Sequence, residues 1–213
     1  MDKINNDVEN YINEFGTSEN DLLEKLTRET AITQIHPRML SGKYQGNLLG
    51  FIIKITGASN ILEIGTYAGY SAICMAMALP ENGTIITIEK NDEIEWLSHK
   101  YFNLSGLGNK IKSVTGDALN IIPNLNEEFD IVFIDGDKRE YSEYYSIVFP
   151  KVKKGGIILA DNVLWNNKIF SDPVSNDYMT KGIIEFNEKI RTDPRVEKII
   201  LPVRDGLMAI RKL

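Results

Sequence analysis

The sequence predicts an α/β fold in which a seven-stranded, mainly parallel sheet is covered on both faces by helices. Three observations carry this. From Asn60 onward, short apolar β-rich runs alternate with helical segments, the rhythm of repeated strand–helix–strand units. Runs such as Ile61–Ile64 and Ile131–Ile134 are concentrated apolar stretches, as expected of parallel strands buried on both faces. The length of 213 residues, with 43% hydrophobic and 25% charged, suffices for one large core, whereas two domains would each be small. We therefore read residues 1–213 as one domain, with N-terminal helices over 1–58 and the sheet-bearing core over 59–213.

Taken in order, the chain opens with two helical patterns. Val8, Ile12 and Phe15 recur at helical spacing within Asn5 to Phe15, and Leu22, Leu23 and Leu26 within Glu19 to Thr30, with Ser18 as the N-cap of the second. The segment His36 to Gly42 breaks the pattern at Pro37; His36 reads as a loop or capping residue or, alternatively, a metal ligand. A third helix runs from Lys43 to Gly57. The strands are Ile61–Ile64, Thr84–Glu89, Ile111–Thr115, Phe129–Asp135, Gly156–Asp161, Val196–Pro202 and Leu207–Ile210. Only Val203–Gly206 separates the last two, too short a link for a parallel crossover, so the sheet ends in an antiparallel hairpin.

Composition narrows the partners. A net charge of −6 without a basic run argues against a nucleic-acid surface and favours a small-molecule partner. Cys74 is the one cysteine and lies among Ile73, Met75 and Met77, which reads as a buried structural thiol. The first residues lack the apolar core of a signal peptide, and no apolar stretch approaches the length of a membrane span; a cytoplasmic protein without membrane contact is expected.

The chemistry is expected at the carboxyl ends of the parallel strands, where open α/β sheets bind ligands. Glu63, Glu89, Asp117, Asp135 and Asp161 with Asn162 all fall there. Glu63-x-Gly65-x-x-x-Gly69 is a strand–turn–helix connection whose glycines permit close approach, followed by helix Tyr70 to Leu79 with free amides at its start. The spacing differs from the dinucleotide fingerprint, and a carboxylate before the turn repels a pyrophosphate but suits an ammonium. S-adenosylmethionine, which has no phosphate, fits this turn better than NAD; a tight structural connection is the alternative. Glu89 is placed to accept from both ribose hydroxyls. Asp117, with Ala118, sits at an adenine edge or caps the helix Ala118 to Ile122, and both roles are compatible.

Asp135 and Asp161-Asn162, at adjacent strand ends, offer two carboxylates and an amide oxygen to one hard cation, a set suited to magnesium or manganese; alternatively Asp135 and Asp137 cap the following helix. Lys138, three residues on, projects over the same place, and a cation beside it would favour its neutral form and hence a base; a solvated helix lysine is the alternative. Tyr141, Tyr144 and Tyr145 read as packing. Trp165 walls an aromatic substrate pocket or packs in the core.

These residues together resemble the class I, cation-dependent O-methyltransferases that use S-adenosylmethionine, a family including catechol and caffeoyl-CoA O-methyltransferases and small bacterial relatives. The resemblance runs from about Leu22 to Leu213 through Met39-Leu-Ser-Gly-Lys-Tyr-Gln-Gly46, Leu62-Glu-Ile-Gly-Thr-Tyr-Ala-Gly-Tyr-Ser71, Phe133-Ile-Asp-Gly-Asp-Lys138, Asp161-Asn-Val-Leu-Trp165, Asp193-Pro-Arg-Val196 and Asp205-Gly-Leu207. It implies a Rossmann-like methyltransferase fold with strand order 3-2-1-4-5-7-6, strand 7 antiparallel, and a homodimer. It implies cofactor contacts at Glu63, Gly65, Tyr67, Gly69, Ser71, Glu89, Asp117, Ala118 and Asp135, metal ligands at Asp135, Asp161 and Asn162, and a base at Lys138. Met39, Lys138 and Trp165 fall on the substrate side. Gly136 stands where the family's motif usually has alanine, a small-for-small exchange. The cofactors implied are S-adenosylmethionine and a divalent cation, magnesium first, with manganese or calcium as alternatives.

The expected activity is methyl transfer to a hydroxyl of a catechol-like or phenolic small molecule. A cation-independent methyltransferase, an NAD-dependent oxidoreductase and a non-catalytic adenosyl-ligand module are the competing readings. The loop Asn166 to Asp177 offers nothing that names the acceptor.

Overall fold

The computed structural model describes residues 6–213, and the side chains of these apart from residues 6–9 and 13. Asn5, where the sequence starts the first helix, and the side chain of Val8 lie outside the described residues. In chain order the elements are α1 (Asn6–Phe15), α2 (Asp21–Thr33), α3 (Gly42–Thr56), β1 (Asn60–Ile64), α4 (Tyr70–Ala78), β2 (Thr84–Glu89), α5 (Glu95–Ser105) and β3 (Ile111–Thr115). There follow α6 (Ala118–Ile121), β4 (Phe129–Ile134), α7 (Tyr141–Val148), β5 (Val152–Ala160), α8 (Tyr178–Thr192), β6 (Val196–Leu201) and β7 (Leu207–Lys212). The strands form a seven-stranded sheet of order β3-β2-β1-β4-β5-β7-β6, the order the resemblance implies. Among the described residues no helix is long and apolar enough to cross a membrane.

Backbone packing divides the chain into two compact units, one holding residues up to Ser59 with Thr66–Thr115, the other Asn60–Gly65 with Gly116–Leu213. In the first, β2 and β3 pair in parallel, with Glu89 opposite Thr115. Helix α4 is buried from Tyr70 to Ala76, as its run of small and apolar residues requires. Helix α3 crosses it so closely that a Cβ at Gly46 would lie 2.6 Å from the Cys74 sulfur. Helix α2 buries Leu23, Leu26 and Thr30 and is tied to α5 by Glu29, which accepts from Lys100 Nζ at 2.7 Å and from the Tyr101 hydroxyl at 2.9 Å. Its N-cap is Asn20, whose side chain accepts from the Leu22 amide at 2.8 Å, rather than Ser18. Asn20 has the extended backbone that an N-cap needs, two residues closer to the apolar face.

In the second unit β1, β4 and β5 run parallel, and β5–β7 and β7–β6 run antiparallel, so the hairpin expected at the end of the chain is present. Ile64 is level with Ile134, and Ile134 with Ala160. The ladder continues one step further, through the Asp135 amide to Ile64 O at 2.8 Å and the Asp161 amide to Ile134 O at 3.0 Å. The residues after these strands, Gly65, Asp135 and Asp161, are therefore brought level. Several strand ends differ from the sequence reading: β1 starts one residue earlier at Asn60, β5 ends at Ala160, β6 ends at Leu201, β7 runs on to Lys212, and two further differences bear on the site. Strand β5 begins at Val152, ahead of Gly156, because Val152 pairs with Phe129 although Lys153 and Lys154 carry no apolar signal. Strand β4 stops at Ile134, leaving Asp135 in the turn.

The core of this unit is aromatic. Tyr141 and Tyr145 on α7 meet the Phe186 ring of α8 edge-on, at centroid separations of 5.4 and 6.3 Å. Helix α8 settles on the main chain at the start of the Lys138 turn because residue 182 is glycine. A Cβ there would overlap the Lys138 carbonyl oxygen and lie 2.8 Å from Arg139 Cα.

Candidate active site

The first unit carries Tyr67, Gly69, Ser71, Glu89 and Met39. Tyr67 has φ +47°, uncommon for a residue with a side chain, and its amide donates to Glu89 Oε2 at 2.7 Å. The other oxygen of Glu89 accepts from the Asn91 amide at 2.9 Å. The carboxylate expected to hold a ribose is thus itself fixed by two main-chain amides, and each oxygen keeps a further acceptor site. The Tyr67 hydroxyl reaches the His36 carbonyl at 3.0 Å, and burial raises its pKa. That bond ties the turn to the 36–40 segment, where Met39 is 57% exposed. Helix α4 opens at Gly69 with no side-chain cap, so its first amides remain as donors for a carboxylate, and Ser71 is buried in its first turn.

The glycines of the turn pack against the protein's own main chain and side chains. Gly65 has φ +99°, and a Cβ on it would overlap the Asp135 carbonyl oxygen. Gly69 has φ +86°, and its Cβ would lie 2.6 Å from the Phe102 ring. In both places the close approach is made by the protein's own atoms. Packing by itself therefore requires glycine at both places, and the polar groups of the turn bear on a ligand separately.

The second unit carries Glu63, Gly65, Asp117, Ala118, Asp135, Lys138, Asp161, Asn162 and Trp165. Glu63 is fully buried on β1, a setting in which an ionised carboxyl needs a cationic or hydrogen-bonding counterpart. Asp117 caps α6, accepting from the Leu119 amide at 2.9 Å, and Ala118 is buried at the first position of that helix. Asp137 caps the Lys138 turn through the Arg139 amide at 3.0 Å, whereas Asp135 does not cap. Its Oδ1 instead pairs with Lys138 Nζ at 2.7 Å. Lys138 is 8% exposed, not the solvated helix lysine of the alternative reading.

One residue with a direct contact to this group was read from the sequence as packing alone. The Tyr141 hydroxyl accepts from Lys138 Nζ at 2.7 Å and donates to the carbonyls of Ile134 and Asp161 at 3.1 and 3.0 Å. Burial, followed by the charges of Asp135 and Asp161, pushes its pKa well above the ordinary phenol value, so it stays neutral. The available signal was its position three residues after Lys138, one helical turn on.

Asp161 is 2% exposed, and its Oδ1 accepts from the Asn162 amide at 2.8 Å. Asn162 has left-handed backbone, φ +61°, and after Val163 and Leu164 a run of three such residues follows, +45° at Trp165, +52° at Asn166 and +62° at Asn167. Asparagine tolerates this region; a tryptophan held there costs on the order of 1–3 kcal/mol. The hairpin turn between β6 and β7 supports the run. Asp205 accepts from the Asn166 amide at 2.7 Å through its carboxylate and from the Leu164 amide at 2.9 Å through its carbonyl. Burial raises the pKa of the Asp205 carboxyl. Trp165 itself is half-buried, with Nε1 enclosed and without a hydrogen-bond partner.

Two carboxylates and an amide oxygen at paired strand ends are chemically a hard-cation donor set. Among the described residues no group of three or more His, Cys, Asp or Glu side chains is placed to hold a metal. His36 lies in the exposed segment before Met39, as a loop residue.

A sequence model of a family described as O-methyltransferase matches residues 13–213. Tricin synthase 2 of Oryza sativa subsp. japonica is 35% identical over 186 residues, which cover 82% of this chain and 64% of the rice protein. Caffeoyl-CoA O-methyltransferase 5 of Nicotiana tabacum is 31% identical over 203 residues, covering 89% of this chain and 85% of the tobacco protein. Among solved structures, the O-methyltransferase from Bacillus cereus in complex with SAH superposes with a TM-score of 0.90 at 29% identity, over 97% of each chain.

Proposed function

Since this chain belongs to the O-methyltransferase family, we propose that it moves a methyl group from S-adenosylmethionine to a hydroxyl of a catechol-like or phenolic small molecule, in the presence of a divalent cation. The observation that carries the reading is the ion pair between the buried Lys138 and the half-buried Asp135, level with Asp161-Asn162 at the neighbouring strand end. When bound, the cofactor supplies an electrophilic methyl on a sulfonium and leaves as SAH, and the cation, magnesium before manganese or calcium, supplies charge that makes a phenolic hydroxyl more acidic.

The chain's own groups do the rest. Glu63, Gly65, Asp117, Ala118 and Asp135 in the second unit, and Tyr67, Gly69, Ser71 and Glu89 in the first, are the residues we assign to the cofactor. Glu63 suits its ammonium, the uncapped amides of α4 its carboxylate, and Glu89 its ribose. Asp135, Asp161 and Asn162 are assigned to the cation. Lys138 takes the proton of the acceptor hydroxyl, and the oxygen it frees would be the nucleophile for the methyl group that the bound cofactor would supply, with SAH as the leaving group. Holding oxygen and methyl in line at roughly 3 Å accounts for much of the rate gain expected. Met39 and Trp165 are assigned to the acceptor side, and a dimeric, cytoplasmic enzyme is the working expectation.

The test is transfer of labelled methyl from S-adenosylmethionine to caffeic acid and a panel of catechols and acyl-CoA phenolics. Activity is expected to vanish with EDTA and return with magnesium, and Lys138→Ala is expected to lower kcat by at least about tenfold. Turnover indifferent to EDTA would remove the cation from the reading, and an unreactive panel would remove the acceptor class.

A further inference from the structure

Lys138 Nζ is a tetrahedral nitrogen, and two of its three outward directions are already taken. Asp135 Oδ1 receives one N–H at 2.7 Å, and the Tyr141 hydroxyl oxygen receives another at 2.7 Å. The third direction alone is left for an N–H when the group is an ammonium, or for the lone pair when it is an amine. What fixes that direction is the polarity of the tyrosine. A phenol has one proton, and here it is directed at the carbonyls of Ile134 and Asp161, at 3.1 and 3.0 Å. With its proton committed there, the oxygen faces Lys138 only as an acceptor.

The surroundings hold this orientation. The Tyr141 side chain is 0% exposed, and its ring lies edge-on to Phe186 at 5.4 Å and 86°. Its two carbonyl partners belong to the last residue of β4 and the residue after β5, the backbone that carries Asp135 and Asp161. From the other side, Gly182 of α8 lies against the main chain of Lys138 and Arg139, where any Cβ would collide. Backbone and side-chain tip of Lys138 are therefore both held, by different elements.

We propose that Tyr141 is a positioning residue for Lys138: it ties the amino group to the ends of β4 and β5 and leaves one nitrogen direction through which a proton can be exchanged. The catalytic part of this rests on Lys138 being the base. The positioning part does not.

The experiment is therefore double. In a kinetic cycle with caffeic acid and magnesium, Tyr141→Phe is expected to lower kcat at least about tenfold, with the KM for S-adenosylmethionine and the Kd for SAH held within about twofold. In a Lys138→Ala background the same change is expected to cost less than about twofold, because it acts through the missing amine. Equal losses in both backgrounds would make Tyr141 a structural residue and overturn the proposal. If Lys138→Ala leaves kcat intact, it is the base assignment that fails.

The second arm needs no turnover. In 15N-labelled protein the Nζ protons of Lys138, identified by their absence in Lys138→Ala, are expected to exchange slowly with water, and Tyr141→Phe to speed that exchange at least about tenfold. A fast-exchanging wild-type amine, or exchange unchanged by Tyr141→Phe, overturns the positioning role whether or not caffeic acid is an acceptor.

Discussion

Replacing Gly65 by alanine is expected to damage stability through a contact inside the second unit. Gly65 follows β1 with φ +99°; besides overlapping the Asp135 carbonyl oxygen, a Cβ would lie 2.7 Å from the carbonyl carbon and 3.1 Å from the Gly136 nitrogen. Two costs add. A side chain in left-handed backbone costs about 1–2 kcal/mol. The overlapped atoms are main chain at the end of β4, so relief requires moving the strand end, and overpacking of this kind costs about 1–3 kcal/mol. Together they give about 2–5 kcal/mol, and at roughly 2–4 °C per kcal/mol for a chain of this size the melting temperature should fall by about 4–20 °C. Gly155→Ala is the control. It lies in the same unit at φ +81°, but its Cβ would meet only Arg211 Nη2, at 3.9 Å, so it carries the backbone cost alone. Thermal unfolding of the three proteins, followed by circular dichroism in one buffer, isolates the overlap as the difference. Equal shifts for Gly65→Ala and Gly155→Ala would refute the argument that packing on Asp135 is what demands glycine.

Three further outcomes follow from other contacts. Asp193 accepts from the Tyr145 hydroxyl at 2.8 Å and from Arg195 Nε at 2.9 Å, and the Arg195 guanidinium holds its carboxyl well below the usual range. Stability from a depressed carboxyl is present above the unfolded value of about 3.9 and is lost as pH falls through the folded one. Asp193→Asn should therefore cost about 1–2 kcal/mol near neutrality, a figure reduced for the exposed Arg195 side chain, with the gap to wild type closing toward about pH 2; a gap constant with pH counts against it. Tyr101 is pushed up to about 12 by burial and by the Glu29 carboxylate beside it. A raised phenol stabilises below the unfolded value of about 10 and loses that contribution through the folded one, so Tyr101→Phe should soften the fall in melting temperature between about pH 10 and 12, and an identical slope refutes it. Gly182→Ala pushes on the Lys138 main chain, and a displacement of about 1 Å can cost about 100-fold in turnover; methyl transfer as fast as in Gly155→Ala would show that α8 does not hold the lysine in place.

The strands were largely legible in the sequence because apolar runs bounded by polar and glycine residues are a local signal. Thr84–Glu89 and Ile111–Thr115 are read to the residue. The start of β5 was not, since Val152 is held by pairing with Phe129 while its neighbours are lysines. The N-cap of α2 was misplaced because Ser18, Asn20 and Asp21 can all cap, and backbone dihedrals choose among them. Within the site, residue identities were legible and environments were not. The spacing of Asp135 and Lys138 put them in reach, but the burial of Lys138 depends on elements far along the chain. Tyr141 was read as a packing residue because its two carbonyl acceptors lie 7 and 20 residues away. The glycines of the turn carry a second requirement that no local reading shows: Asp135 and Phe102 leave no room for a side chain at either position.

The close crossing of α3 and α4 makes the sole thiol of the chain a clock. Cys74 is 9% exposed, and its sulfur fills the space that a methyl group on Gly46 would need. A thiol reagent of ordinary size can reach it only when the two helices part. Since no other cysteine competes for the label, the rate of modification counts openings of this one helix pair, and its dependence on denaturant separates local parting from global unfolding. The same crossing limits position 46 from two sides: a larger residue there meets the Tyr70 ring at 3.0 Å as well as the Cys74 sulfur, so shortening residue 74 alone would not make room for it.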